Sequence, residues 1–422
     1  MRAVLAHRQA RTYLFAQILS LFGDTSLWFA AGIWVKNITG SASAAGMVFF
    51  FYNVPYLFAP FAGLLVDRVR RAPLMIAVNL GTAAAVLLLL FVHDEHQVWL
   101  VFTVIFLYGV SGALLGSAQS ALLTTMLPGD LIAQANGVLQ TGREALRLLS
   151  PLLGAGVVAW TGTAAPVAVF DAVTFVVAAA VLASLRLQEP APHREPMTWW
   201  TELTAGARHV VGTAALRYVV GATAFALLVV GFSETLIFPI AEKGLGHSAS
   251  FVGVLISTMS IGSIAGGLTG ASAVRRLGDG RALAIGLVAF AAGNALLATG
   301  SLPVVLAGVI IEGAGVPWAV IAFSTSIQVR TPAQLQGRAY AAADMAATVP
   351  QTLSIALGAA LVAVVDYRLL IAAMSIVIAL AAGYLLTRRI DWAVPDADVD
   401  PATTTQPFDP AGLALPDVRL EA

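Results

Sequence analysis

Along almost the whole chain, apolar residues run in blocks of about 20, separated by short polar or charged stretches; that is the length a helix needs to cross a bilayer core. The blocks predict twelve helices, at roughly 12–36, 43–66, 73–92, 97–126, 131–160, 164–187, 214–241, 248–273, 281–300, 302–327, 334–365 and 367–387. A membrane barrel would instead show segments of about ten residues with alternating polarity, and the chain has none. The basic start, Met1 to Arg11, leads directly into a first block longer than the apolar core of a signal peptide and interrupted by Asp24, so it reads as an uncleaved span.

Charge placement orients these spans. With the N-terminus inside, Arg2, Arg8, Arg11, Arg68, Arg70, Arg71, Arg186, Arg194, Arg208, Arg217, Arg275, Arg276, Arg281, Arg330, Arg338, Arg388, Arg389 and Arg419 all fall on the cytoplasmic side, and only Lys36, Lys243 and Arg368 fall outside. A missed or invented span would scramble every later loop. Trp34, Trp99 and Trp160 at outer ends, with Trp199, Trp200 and Trp392 at the inner side, complete an aromatic belt. The pattern therefore predicts an all-α polytopic inner-membrane protein with both termini cytoplasmic.

The chain divides into a six-helix half over 1–187, a cytoplasmic linker over 188–212, a second six-helix half over 213–388 and a disordered cytoplasmic tail over 389–422. The Pro-rich stretch Glu189 to Pro196 breaks the helical pattern. After it, Trp199, Trp200, Leu203, Val210 and Val211 interleave with Glu202, Arg208 and His209, as in a short helix lying at the inner interface. The tail is too rich in Pro, Asp and Thr to build a core. The halves echo one another at an offset of 204 residues, where Pro128 meets Pro332, Ser150 meets Ser354 and Gly154 meets Gly358. A second echo, at 210, sets Asp24 against Glu234. Doubled six-span units belong to transporters that hold substrate between two rocking halves.

Composition narrows the chemistry. At 59% hydrophobic and 11% charged, with a mean hydropathy of +0.85, the chain is far from a soluble domain, where about a quarter of residues are charged. Without cysteine there is no disulfide or thiolate metal site, and no cofactor or metal is expected; zero net charge argues against nucleic acid as a partner.

Between the second and third spans, Gly63-Leu64-Leu65-Val66-Asp67-Arg68-Val69-Arg70-Arg71 resembles the signature loop of the major facilitator superfamily. Gly63 lets two helices approach, and Asp67, Arg68 and Arg71 form the charged part of a gating latch. The matching loop of the second half, Gly270 to Arg281, keeps Arg275 and Arg276 but lacks the Asp, so the latch is expected to be asymmetric. Ser150, Pro151 and Gly154 partly match the helix-packing motif of the superfamily's drug:proton antiporters, whose usual arginine in the fourth span is missing. The overall pattern resembles the bacterial branch of macrolide efflux pumps and the enterobactin exporter. The resemblance implies a monomeric twelve-helix fold of two pseudo-symmetric halves, with the third, ninth and twelfth spans at the periphery.

Ionisable residues inside a bilayer are costly and mark functional sites by default. They are Asp24, Arg143, Glu144, Arg147, Asp171, Glu234, Glu312 and Asp344. A carboxylate that meets water on each side of the membrane in turn can take up and release a proton, which makes Asp24, Glu234, Glu312 and Asp344 the candidates for proton coupling. Arg143, Glu144 and Arg147 would supply counter-ions or hold a charged group of the substrate. Asp171 reads as structural. Trp28, Tyr52, Asn53, Tyr108 and Trp318 would line a large, sparsely polar cavity suited to bulky amphipathic compounds.

An enzyme is the rival reading, since Gly109-Val110-Ser111-Gly112 matches the nucleophile motif of intramembrane serine proteases. None of the six histidines lies within a span to serve as base. Nor is there a phosphate-binding loop, so a gradient must supply the energy. A solute-sensing receptor would be another use of this frame. The expectation is export of an amphipathic drug by proton antiport and hence multidrug resistance, with a specific siderophore or metabolite exporter, or a nutrient symporter, as alternatives. Proton-driven transport by Asp24→Asn and Glu234→Gln variants checks the coupling: both should lose uphill transport, and full activity in both removes these residues from it.

Overall fold

The computed structural model describes residues 8–126, 129–185, 199–332, 335–388 and 392. All twelve expected spans are helical, and the described residues contain no strand. The first half comprises Arg8–Thr39, a broken second span of Ala42–Asn53 and Ala59–Asp67, then Arg71–Leu87, Val98–Met126, Gly129–Thr161 and Ala165–Ser184. The second half comprises a broken seventh span of Ala214–Val230 and Ser233–Pro239, then Val252–Leu277, Asp279–Leu296, Leu302–Arg330, Gln336–Leu361 and Tyr367–Leu386. Between the halves, Trp199–Gly212 forms the short helix expected there, packed along the eleventh span, with His209 Nε2 3.1 Å from the Arg330 carbonyl. The linker at 186–198, and all of the tail except Trp392, lie outside the described residues.

Two spans depart from a continuous helix for local reasons. In the second, Pro55 and Pro60 lack amide donors, and the turn tightens to a 3-10 helix over Val54–Phe58. The seventh breaks at Gly231 and Phe232 and then, after Pro239, widens into a π turn over Ile240–Gly244, where the Leu245 amide donates to the Ile240 carbonyl at 3.0 Å.

Among the described residues, nine helices are long and apolar enough to cross a membrane on their own. The second, fifth and eleventh spans are not among them, and the second and fifth contribute only shorter apolar stretches at Ala42–Phe58 and Ala145–Thr161. The fifth span packs against the eighth, and the second against the eleventh, so these three face the other half as well as lipid. The two contacts are related by the sequence repeat, which pairs the fifth span with the eleventh.

The seam between the halves is polar and close. Pro151 cannot donate to the Arg147 carbonyl one turn earlier; Ser260 Oγ of the eighth span, which also reaches the Ile256 carbonyl, lies 3.2 Å from that oxygen. Ser257 Oγ donates to the neighbouring Leu148 carbonyl at 2.7 Å. Gly253 faces the Pro151 carbonyl so closely that a Cβ would stand 2.7 Å from it. On the other side of Pro151, Gly154 brings the fifth span onto the backbone of Ser26 in the first.

Packing is shared between the halves at one end and separate at the other. Leu27, Ala31, Trp34 and Phe49 of the first half belong to one cluster with Leu236, Phe238 and Ile240 of the second, and the Phe49 and Phe238 rings stack with centroids 6.3 Å apart. At the arginine-rich end, Tyr13, Leu14, Met75 and Leu122 form one cluster, and Leu216, Val220, Ile327 and Ala343 form another. The joined end is closed by an ion pair: Lys36 at the end of the first span lies 2.9 Å from Glu242 in the π turn of the seventh, and its ammonium also donates to the Gly40 carbonyl at 2.8 Å.

A partly buried pair of this kind contributes about 1 kcal/mol, roughly a fivefold bias toward the joined state. The chain has no cysteine, so a single cysteine at the fully buried Ala45 reports on opening of that end. Lys36→Met should raise its labelling rate by a water-soluble maleimide about fivefold in detergent; an unchanged rate would show that the pair does not hold the end closed.

Candidate functional site

A cavity of about 290 Å³ lies among the first, second, fifth, seventh, eighth, ninth, tenth and eleventh spans. Its wall is mostly apolar and aromatic, from Trp28, Phe29, Phe49, Ile237, Met259 and Phe290. Three ionisable groups face it: Glu234 from the first turn after the break in the seventh span, Glu312 from the tenth, and Arg147 from the fifth. Glu312 is only 5% exposed, so the cavity is its main contact with solvent. Asn294 adds an amide whose Nδ2 donates to the Ile371 carbonyl at 3.1 Å and to Ser375 Oγ at 2.8 Å. A concave apolar pocket with a few convergent charged groups is the usual form of a small-molecule site, and its size is near the lower end of the roughly 300–1,000 Å³ such sites occupy.

The structure separates the four carboxylates grouped by the sequence reading. Only Glu234 and Glu312 line this cavity. Asp24 lies within the first half, where Tyr108 Oη lies 2.8 Å from its Oδ1. Asp344 is exposed and faces a different cleft, between the second and eleventh spans, lined by Tyr56, Leu57, Met345 and Val349. One helical register explains the split: Asp344 lies on the face of the eleventh span turned toward the second, away from the seventh and tenth.

Of the residues expected to line the cavity, Trp28 does so. Tyr108 bonds to Asp24, and Tyr52 has its hydroxyl 3.2 Å from that of Tyr56. Asn53 turns its amide back to the Phe49 carbonyl at 2.9 Å. Trp318 packs between the eighth and ninth spans, beside Gly270 and Gly286, with its Nε1 donating to Thr269 Oγ1 at 2.9 Å. Tyr108 and Trp318 find their partners on other helices, and Tyr52 and Asn53 within their own span, so position along the sequence does not reveal which way each turns. Arg143 is exposed, and the side chain of Glu144 lies outside the described residues. Ser150 is fully buried at the seam beside Pro151.

In the gating loop, Arg68 is exposed and Arg71 half-buried at the start of the third span; the surroundings of Gly63 and the side chain of Asp67 lie outside what is described. The second-half loop corrects the sequence reading. It does hold a carboxylate: Asp279, fully buried at the start of the ninth span, forms a two-pronged ion pair with Arg330 at the end of the tenth. Its backbone amide donates to the carbonyl of Trp392 at 3.2 Å, and the Trp392 ring covers Gly280. Trp392, placed by the sequence reading in a disordered tail and at the interface, is 4% exposed. The residues absent from the sequence reading, Glu242 and Asp279, share one signal: each is a lone acid at a span end where a basic residue of another span ends too.

The protease-like Gly109-Val110-Ser111-Gly112 motif has a packing role. Gly109 lies against the Tyr52 backbone and Gly112 against the Tyr56 hydroxyl, while Ser111 Oγ donates to the Leu107 carbonyl and accepts from Thr82 Oγ1 at 2.6 Å.

Comparison with known proteins agrees with this frame. A family model described as Major Facilitator Superfamily matches residues 13–221 and 223–415. Macrolide efflux protein A of Streptococcus pyogenes is 30% identical over 142 residues, 33% of this chain and 35% of that protein. A lysophospholipid transporter of Salmonella gallinarum is 28% identical over 218 residues, 51% of each chain. The chain thus spans about a third to a half of the length of these curated relatives. A bacterial homologue of the iron transporter ferroportin, solved in an inward-facing state, has the same fold with a TM-score of 0.70 at 15% identity, covering 90% of this chain and 98% of that one.

The Asp279–Arg330 pair gives a sharp test of what holds the arginine-rich end of the second half. Arg330→Ala strands a buried carboxylate and should cost about 3–5 kcal/mol, read as a lower thermal midpoint in detergent. Adding Asp279→Asn should recover part of it; equal midpoints for the wild type and Arg330→Ala would show that the pair carries no such load.

Proposed function

Because the chain belongs to the Major Facilitator Superfamily, we propose that it is a secondary active transporter that exports amphipathic small molecules from the cytoplasm by proton antiport. The observation that carries this reading is the cavity itself: an aromatic wall that accepts an apolar body, with Glu234, Glu312 and Arg147 converging on it. A compound with an apolar frame and a charged group satisfies both parts. Protons and a cationic group then compete for the same two carboxylates, which is the elementary requirement of exchange.

Alternating access has its parts in place. The halves join at the end bearing Lys36 and Glu242 and pack separately at the arginine-rich end. With the arginine-rich loops in the cytoplasm of the inner membrane, as their charge favours, this is an inward-facing arrangement of a single chain acting as a monomer. Opening outward requires breaking the Lys36–Glu242 pair and parting Phe49 from Phe238. The names of the two curated relatives, a macrolide efflux protein and a lysophospholipid transporter, both designate amphipathic cargo and support the substrate class.

Expression in a bacterial strain deleted for its own pumps tests the reading. Accumulation of macrolides and other amphipathic drugs should fall several-fold, return when a protonophore collapses the gradient, and return as well with Glu312→Gln. No change across chemically diverse drugs would point instead to a specific exporter of a siderophore or secreted metabolite. Gradient-driven uptake would overturn export.

A further inference from the structure

The first half contains a second cluster of ionisable groups, which does not line the cavity and is unused by the reading above. Tyr108 Oη lies 2.8 Å from Asp24 Oδ1 and 3.1 Å from Asp171 Oδ2. Asp171 is fully buried, and Tyr108 is 5% exposed. A phenol has one proton and can donate it to one carboxylate only. The nearest other donor to Asp171 is the Thr174 hydroxyl, 3.4 Å from Oδ1, but its single proton is directed to the Asp171 backbone carbonyl at 2.8 Å. No ion pair to either carboxylate occurs among the described residues.

Hydrogen-bond counting therefore leaves the cluster one proton short. If both acids were ionised, the Tyr108 proton would serve one of them. The other would face an oxygen lone pair, with two like charges around one phenol and Asp171 fully buried, an arrangement that costs several kcal/mol. One added proton completes the set: the Asp171 hydroxyl donates to Tyr108 Oη or to the Asp24 carboxylate it also touches, and Tyr108 donates to the Asp24 carboxylate. Every contact then has a donor.

The surroundings favour placing that proton on Asp171. Gly23 of the first span lies directly on Asp171 Oδ1, and a Cβ there would also stand 2.9 Å from Thr174 Oγ1, so backbone seals this carboxyl from solvent. Asp24 is only half-buried and feels the positive charge of Arg143 on the fifth span. From the second span, Tyr52 packs its ring on Tyr108 with centroids 6.2 Å apart, and Tyr56 bonds to Tyr52. The third span, packed on the sixth, brings no ionisable group beyond Arg71 at its start.

We propose that Asp24, Tyr108 and Asp171 form a proton-binding site of the first half, in which Asp171 holds a single proton and Tyr108 relays its hydrogen bond to ionised Asp24. Uptake adds one proton to the Asp171 carboxylate and release returns it; no other bond changes. This deepens the proton-coupling part of the function proposed above and assigns Asp171, which reads as structural from sequence, to the site, with Tyr108 as its positioning residue.

Infrared spectroscopy of the full chain in lipid at neutral pH reads the carbonyl stretch of a protonated carboxyl without any substrate. The wild type should show such a band that is lost in Asp171→Asn, kept in Asp24→Asn and shifted in Tyr108→Phe. Folding is preserved in Asp171→Asn because the amide N–H can donate to Tyr108 as the acid hydroxyl does, and a thermal midpoint near that of the wild type verifies it. A spectrum indifferent to Asp171→Asn, or a band lost only with Asp24→Asn, would overturn the assignment. If the band behaves as expected while export ignores the proton gradient, the proton-antiport reading falls and the site stands. If export is proton-driven and the spectrum ignores Asp171, the site falls alone.

Discussion

In hydrocarbon a polar group can bond only to protein, and that constraint organises this molecule. Most hydroxyls within the spans turn back to their own helix, as Thr25 does to the Leu21 carbonyl and Ser117 to that of Ala113. The groups that cannot do so are gathered where helices meet. Pro151 is the clearest case. Its missing amide withdraws the helical donor from the Arg147 carbonyl, and the Ser260 hydroxyl of the other half, shared with its own Ile256 carbonyl, reaches that oxygen. A defect within one helix thus becomes a bond between the halves, at the place where a transporter needs them to meet and part.

The regular parts of this arrangement were legible in the sequence because they repeat. Twelve apolar blocks, the arginine bias and the 204-residue echo are periodic signals, and the helices and the correspondence of the fifth span with the eleventh follow from them. The charged contacts were legible only as a list of candidates. Glu234 and Glu312 come together, but Asp344 turns to another cleft, and Trp318 bonds to Thr269, because helix rotation rather than sequence position decides where a side chain arrives. Asp279 with Arg330 and Lys36 with Glu242 join spans far apart in the chain, with no local spacing to announce them. Trp392 shows the opposite error: its surrounding composition reads as disordered, yet the ring finds a glycine-lined seat on the ninth span.

The halves share a frame but not a chemistry. The fourth and tenth spans are both 29 residues long and start 204 residues apart, so Tyr108 in one corresponds to Glu312 in the other. In the first half that position holds a phenol bridging two acids; in the second it holds an acid facing the cavity. Duplication has kept the helices while the polar content diverged. One half is left closed around its carboxyls and the other open to a ligand.

The π turn at the end of the seventh span carries a mechanical consequence. Inserting one residue into a helical turn advances everything beyond it by about 100° around the axis. Glu242 meets Lys36 with the turn in that wide form. Were the turn to rewind to ordinary α geometry, Glu242 would rotate away from the first span without any movement of the halves as bodies. The latch at the joined end can therefore release by a change of winding confined to five residues, ahead of the larger rocking motion.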